Sequence, residues 1–110
     1  MTLITFPRAI GLVLAGVLAA GAASADEHVV TQKNKSFSIK KLKLKVGDSI
    51  KFVNEDSFAH NVFSLSAAKS FDTGSFGNGQ TRGVSFDKAG AVEVECAVHP
   101  DMRLDVEVTP

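Results

Sequence analysis

The stretch Lys41-Leu42-Lys43-Leu44-Lys45-Val46 alternates charged and apolar side chains with a period of two. That period suits a β-strand with one face buried and one face in water, and no helix can use it. The same pattern returns four times. Ile50 and Phe52 alternate with Ser49, Lys51 and Val53; Val84 and Phe86 with Gly83 and Ser85; Val92, Val94 and Cys96 with Glu93 and Glu95; Leu104, Val106 and Val108 with Asp105 and Glu107. Turn signals separate the runs, at Gly47-Asp48 and at Asp87-Lys88-Ala89-Gly90. Many short, half-buried strands at regular spacing predict an all-β sandwich or barrel. Ser66 to Lys69 is read as a short helical turn, and Thr73 to Gln80, rich in Gly and Asn, as a surface loop. There is no internal repeat and no interdomain linker.

The first 25 residues belong to a different class. Arg8 is the only charged side chain before an apolar run from Ala9 to Ala22, and Ala23-Ser24-Ala25 follows with small residues. A positive start, an apolar middle and a small-residue exit describe a secretory signal peptide. The apolar run falls short of the roughly 20 residues needed to cross a bilayer. The sequence therefore divides into residues 1–25, a signal peptide, and residues 26–110, one exported domain with no stable membrane insertion after cleavage. The expected localisation is the periplasm. The whole chain balances 12 basic against 12 acidic side chains. That balance argues against nucleic-acid binding, and the lysine-rich first half reads as solvated strand faces.

Cys96 is the only cysteine. It cannot form an internal disulfide, so in an oxidising compartment it is either buried and inert or held by a metal. A small domain without disulfides also gains from a metal staple. The alternation places Cys96 on the inward face with Val92 and Val94, at the very end of a strand. The loop that follows, Cys96-Ala97-Val98-His99-Pro100-Asp101-Met102, carries a thiolate, an imidazole and a thioether within seven residues. A second imidazole, His60, lies far upstream. Taken singly, each residue has an ordinary structural reading: His60 as a hydrogen-bonded histidine, Cys96 as a small buried hydrophobe, Met102 as core. Together they make the two-His, one-Cys set with a weak axial Met that suits one type 1 copper ion. Structural zinc prefers several Cys or His ligands and rarely takes Met.

At these residues the chain resembles the cupredoxins, and in particular their amicyanin- and plastocyanin-like members. The short Cys-x-x-His-Pro-x-Met-Arg loop from Cys96 to Arg103 is similar to the amicyanin loop. Val46-Gly47-Asp48, Phe52-Val53-Asn54 and His60-Asn61-Val62 are similar to the family pattern, and the likeness runs from about Phe37 to Val108. The segment from Phe63 to Gln80 departs from it. The resemblance implies a Greek-key β-sandwich of about eight strands with copper near one end, and a role for Asn61 in tying the two ligand loops together beside the sulfur. It implies one-electron transfer by Cu(II)/Cu(I) cycling in a monomer, between redox proteins such as a dehydrogenase donor and a c-type cytochrome acceptor. Copper buffering, delivery or tolerance is the alternative for the same ligands. An enzyme is not expected: Cys96 and His99 lack an orienting third group, and no further His or Cys set is present for a second copper. Cleavage after Ala25 would also create an N-terminal Asp26-Glu27-His28. Its third-position imidazole suits square-planar Cu(II) or Ni(II); the plainer reading makes His28 the first residue of an opening strand.

Overall fold

The structure is a computed structural model and describes residues 25–110; the segment expected from the sequence to be a signal peptide, residues 1–25, lies outside the described residues except for Ala25. Among those residues there are nine strands and no helix. In chain order they are β1 (Glu27–Lys33), β2 (Ser36–Phe37), β3 (Lys41–Lys45), β4 (Ser49–Asn54), β5 (His60–Ser66), β6 (Lys69–Phe76), β7 (Thr81–Ser85), β8 (Gly90–Glu95) and β9 (Arg103–Thr109). They form a four-stranded sheet, β2-β1-β4-β7, and a five-stranded sheet, β3-β9-β8-β5-β6. β1 runs parallel to β4, and β3 parallel to β9; the other pairs are antiparallel. Non-sequential neighbours and chain crossings between the sheets give the Greek-key sandwich that the cupredoxin resemblance implies. The ninth strand is the two-residue β2.

The alternation is obeyed almost residue by residue. Ile50, Phe52 and Asn54 are buried along β4, and Leu104, Val106 and Val108 along β9, while their neighbours face outward. Two facing rows of this kind exclude water from a single apolar core. Phe37 and Phe52 meet there with ring centroids 6.1 Å apart. Truncating a fully buried phenylalanine such as Phe52 to alanine would cost about 3–5 kcal/mol.

Two sequence expectations are corrected. Ser66 to Lys69 is a tight β5–β6 hairpin, with only Ala67 and Ala68 outside the strands. Thr73 to Phe76 is not loop but the second half of β6; only Gly77 to Gln80 connects it to β7. The glycine there marks a bulge. Register slips between the Asn61–Ser75 and Phe63–Asp72 pairs, and Gly74 in the slipped stretch has φ of 73°. The Val62 amide is satisfied by the Thr73 hydroxyl at 3.0 Å. Hydrogen bonding along β5 thus overrides a composition poor in strand formers.

The topology collects one set of connections at one end of the sandwich: the β1–β2 turn, the β4–β5 loop, the β6–β7 loop and the β8–β9 loop. His60 opens β5 there, and Cys96 follows directly on β8.

Candidate metal centre

The β8–β9 loop is built on two rigid ends. Val92, Val94 and Cys96 are buried on one face, so the sulfur is delivered into the interior at the point where β8 stops. The loop then closes on itself through a hydrogen bond from the Met102 amide to the His99 carbonyl, 2.9 Å. Met102 is buried immediately before β9 begins.

Three donor atoms converge at this end. His60 Nδ1 lies 3.7 Å from Cys96 Sγ, His99 Nδ1 lies 4.0 Å from the same sulfur, and the two Nδ1 atoms are 3.2 Å apart. For metal–nitrogen bonds of about 2.0 Å and a metal–sulfur bond of about 2.3 Å, donors spread about 120° apart would show N···N of roughly 3.5 Å and S···N of roughly 3.7 Å. The observed triangle matches an ion-sized centre. The donor types, two imidazoles and a thiolate with a buried thioether on the same loop, are those that suit copper in both oxidation states.

Asn61 joins the two halves. Its Oδ1 accepts the Ala97 amide at 2.9 Å and stands 3.6 Å from Cys96 Sγ. Phe58, from the β4–β5 loop, packs across both imidazoles, with centroids 5.3 Å from each. His60 and Cys96 are fully shielded, while His99 is partly exposed beside exposed Ala97 and Val98.

His60, Cys96, His99 and Met102 are therefore all placed at one end, and the first three are brought into mutual contact. Sequence reasoning missed Asp56. This buried carboxylate lies 2.7 Å from His60 Nε2. The only signal was the spacing Asp56-x-x-x-His60.

A second group, Asp26, His28 and Asp48, also brings three ligand-type atoms within 4.8 Å of one another. Here His28 belongs to the opening strand, as the plainer reading has it, but as its second residue, after Glu27. It sits in β1 opposite Ile50, with Nε2 3.2 Å from Asp48 Oδ2. The Asp26 carbonyl is engaged by the Ser49 amide at 3.0 Å. A square-planar wrap at Asp26-Glu27-His28 would have to undo this edge of β1.

An all-β sandwich of this topology, with a Cys–His–Met loop facing a distant His, defines a mononuclear copper-binding protein, and comparison with known proteins agrees. Residues 25–109 match the copper-binding proteins of the plastocyanin/azurin family. The chain belongs to that family. It is 34% identical over 89 residues to the methylamine utilization protein MauL of Methylorubrum extorquens, a match that covers 78% of this chain and 76% of MauL. Among solved structures, the Cu(I) form of an amicyanin variant superposes with a TM-score of 0.69 at 26% identity, over 82% of this chain and 88% of amicyanin. The copper-containing nitrite reductase of Thermus scotoductus SA-01 superposes with a TM-score of 0.71 at 27% identity over 82% of this chain. This chain spans only 24% of that enzyme's length.

Proposed function

We propose that the protein is a periplasmic type 1 copper protein that carries single electrons between redox proteins, with the ion held by His60, Cys96, His99 and Met102. The observation that carries this reading is the close triangle of His60 Nδ1, Cys96 Sγ and His99 Nδ1 at the end of a rigid sandwich. Bound copper supplies a one-electron Cu(II)/Cu(I) couple. The chain's own residues do the rest. β5 and β8 hold His60 and Cys96 in place, Asn61 fixes the loop, and Phe58 packs against both imidazoles. A site that does not rearrange between charge states exchanges electrons with little cost.

Burial of Cys96, His60 and Met102 favours electron exchange over handing the ion to another protein. His99 offers the short route to the surface. The partly exposed Phe58 and exposed Val98 beside it suit a brief encounter with a redox partner. The likeness to amicyanin and to a methylamine utilization protein supports a dehydrogenase as donor, and a c-type cytochrome is the acceptor by the same analogy. The protein acts as a monomer, after removal of residues 1–25, and transforms no substrate itself.

The test is an absorption spectrum. Purified protein given Cu(II) should show an intense visible charge-transfer band that reductant bleaches, and Cys96→Ser should abolish it. Stoichiometric Cu(II) bound without colour would overturn the assignment.

A further inference from the structure

Asp56 is a buried carboxylate that the electron-carrier reading leaves unused, and it is held from every side. Its Oδ1 accepts the Asn34 amide at 2.7 Å, and its Oδ2 accepts the Lys35 amide at 3.1 Å. Those two amides are presented by consecutive left-handed residues, Asn34 at φ 55° and Lys35 at φ 57°, in the β1–β2 turn. The Asp56 amide donates to Asn54 Oδ1 at 2.8 Å, and the Asp56 carbonyl accepts Asn78 Nδ2 at 2.8 Å. Asn54 is itself tied to the Phe58 and Phe76 carbonyls. The β1–β2 turn thus holds the carboxylate, Asn54 and Asn78 hold the Asp56 backbone, and the remaining contact of the carboxylate is His60 Nε2 at 2.7 Å.

We propose that Asp56 is a positioning residue of the copper centre: it accepts the Nε2 proton of His60, turns the bare Nδ1 toward Cys96 and His99, and lowers the reduction potential by placing a fixed negative charge one imidazole ring from the ion. This rests on the reading of His60 as a ligand. A histidine has one proton to share between two ring nitrogens, and a carboxylate at Nε2 claims it, which leaves Nδ1 as the lone pair. The Asn34 and Lys35 amides and the His60 ring nitrogen all converge on the two Asp56 oxygens, a set of donors that suits a carboxylate, which only accepts. When one electron from a partner converts Cu(II) to Cu(I), the site loses one positive charge. The anion stabilises the more positive, oxidised state, so it opposes reduction. A neutral acceptor in the same place would orient the ring without that bias.

The experiment compares copper-loaded wild type with Asp56→Asn and Asp56→Glu. Asparagine keeps an acceptor oxygen and removes the charge. Asp56→Asn should keep the visible charge-transfer band and favour the reduced form by about tenfold at a fixed ambient potential, which is ~59 mV for a one-electron couple. Asp56→Glu should move the potential back toward wild type. An unmoved potential in a blue Asp56→Asn protein overturns the role of Asp56 alone, whereas a colourless wild type overturns the ligand set and this proposal with it. Should Asp56→Asn fail to fold or to hold copper, NMR of the Cu(I)-loaded wild type decides. A slowly exchanging proton on Nε2 of His60 supports the proposal, and an Nε2 without a protected proton rejects it.

Discussion

The side-chain oxygen of Asn61 lies 2.9 Å from the backbone nitrogen of Ala97, across 36 residues of chain. That one bond fastens the start of β5 to the first residue after Cys96, so the two halves of the donor triangle move as a unit. Asn61→Ala removes the acceptor and should cost about 1 kcal/mol, the usual net worth of one hydrogen bond. The check is denaturant unfolding with and without copper. The loss should be larger with copper, because a looser loop also binds the ion less well. An equal loss in both forms would show that Asn61 serves the fold and not the site.

Met102 is fully buried between the loop and β9, which suits either an axial ligand or a core residue. The two roles separate on substitution. Met102→Gln should keep copper and the intense colour but shift the band and the reduction potential, because the axial donor is a lever on both. A core role predicts reduced stability with an unmoved spectrum. Absorption spectra and redox titration of the variant distinguish them.

Strands were legible wherever one face is buried, because burial writes a period of two into the sequence. Leu42 and Leu44, or Leu104, Val106 and Val108, need nothing more, although Val46, which continues the pattern, lies beyond the end of β3 and is exposed. The second half of β6 was illegible for a physical reason: Thr73-Gly74-Ser75 is turn chemistry, held extended by partners on β5 that are distant in sequence. The parallel pairing of β1 with β4 leaves no local trace either. At the site, the candidate ligand types announced themselves through the rarity of Cys, His and Met, and Asn61 only through the resemblance of His60-Asn61-Val62 to the cupredoxin pattern. Asp56 did not, since one acidic residue in a polar loop resembles any other until the fold sets it against an imidazole.

Asp48 makes the stability of the domain sensitive to acid. Its carboxylate accepts the Asp26 backbone nitrogen, a terminal amine once residues 1–25 are removed, at 2.9 Å and the Lys45 amide at 3.0 Å, with His28 beside it. These backbone donors, Asp26 first and Lys45 next, outweigh burial and hold the carboxyl below its ordinary value of 3.8, with His28 adding to the effect. A carboxyl whose pKa is depressed in the folded state contributes stability above its unfolded pKa and loses it as pH falls through the folded one. The contribution is thus intact above about pH 4 and lost below it. Melting of metal-free wild type and Asp48→Asn from pH 6 downward provides the measurement. The gap between them should be widest near pH 6 and close as the pH falls below the carboxylate range. A gap that stays constant with pH would mean that Asp48 acts by shape and not by charge.

Gln32 gives the opposite kind of prediction, a substitution that stabilises. It is fully buried on β1, and among the described residues neither its side-chain oxygen nor its side-chain nitrogen has a hydrogen-bond partner. Its backbone is well used: it pairs with Phe37 and Asn54, and its carbonyl accepts the Glu55 amide at 2.8 Å. The strand therefore does not depend on the side chain. An amide buried without a partner costs about 1–3 kcal/mol of lost hydration, whereas an apolar group of the same shape in that place loses none. Methionine has nearly the same length, is unbranched where glutamine ends in an amide fork, and adapts easily to an irregular pocket. Gln32→Met should raise stability by about 1 kcal/mol or more, which for a domain of this size lifts the melting temperature by about 4–8 °C per kcal/mol. Thermal and denaturant unfolding of the metal-free protein give the answer. A lower melting temperature in Gln32→Met would show that the amide is satisfied in solution, with water as its partner.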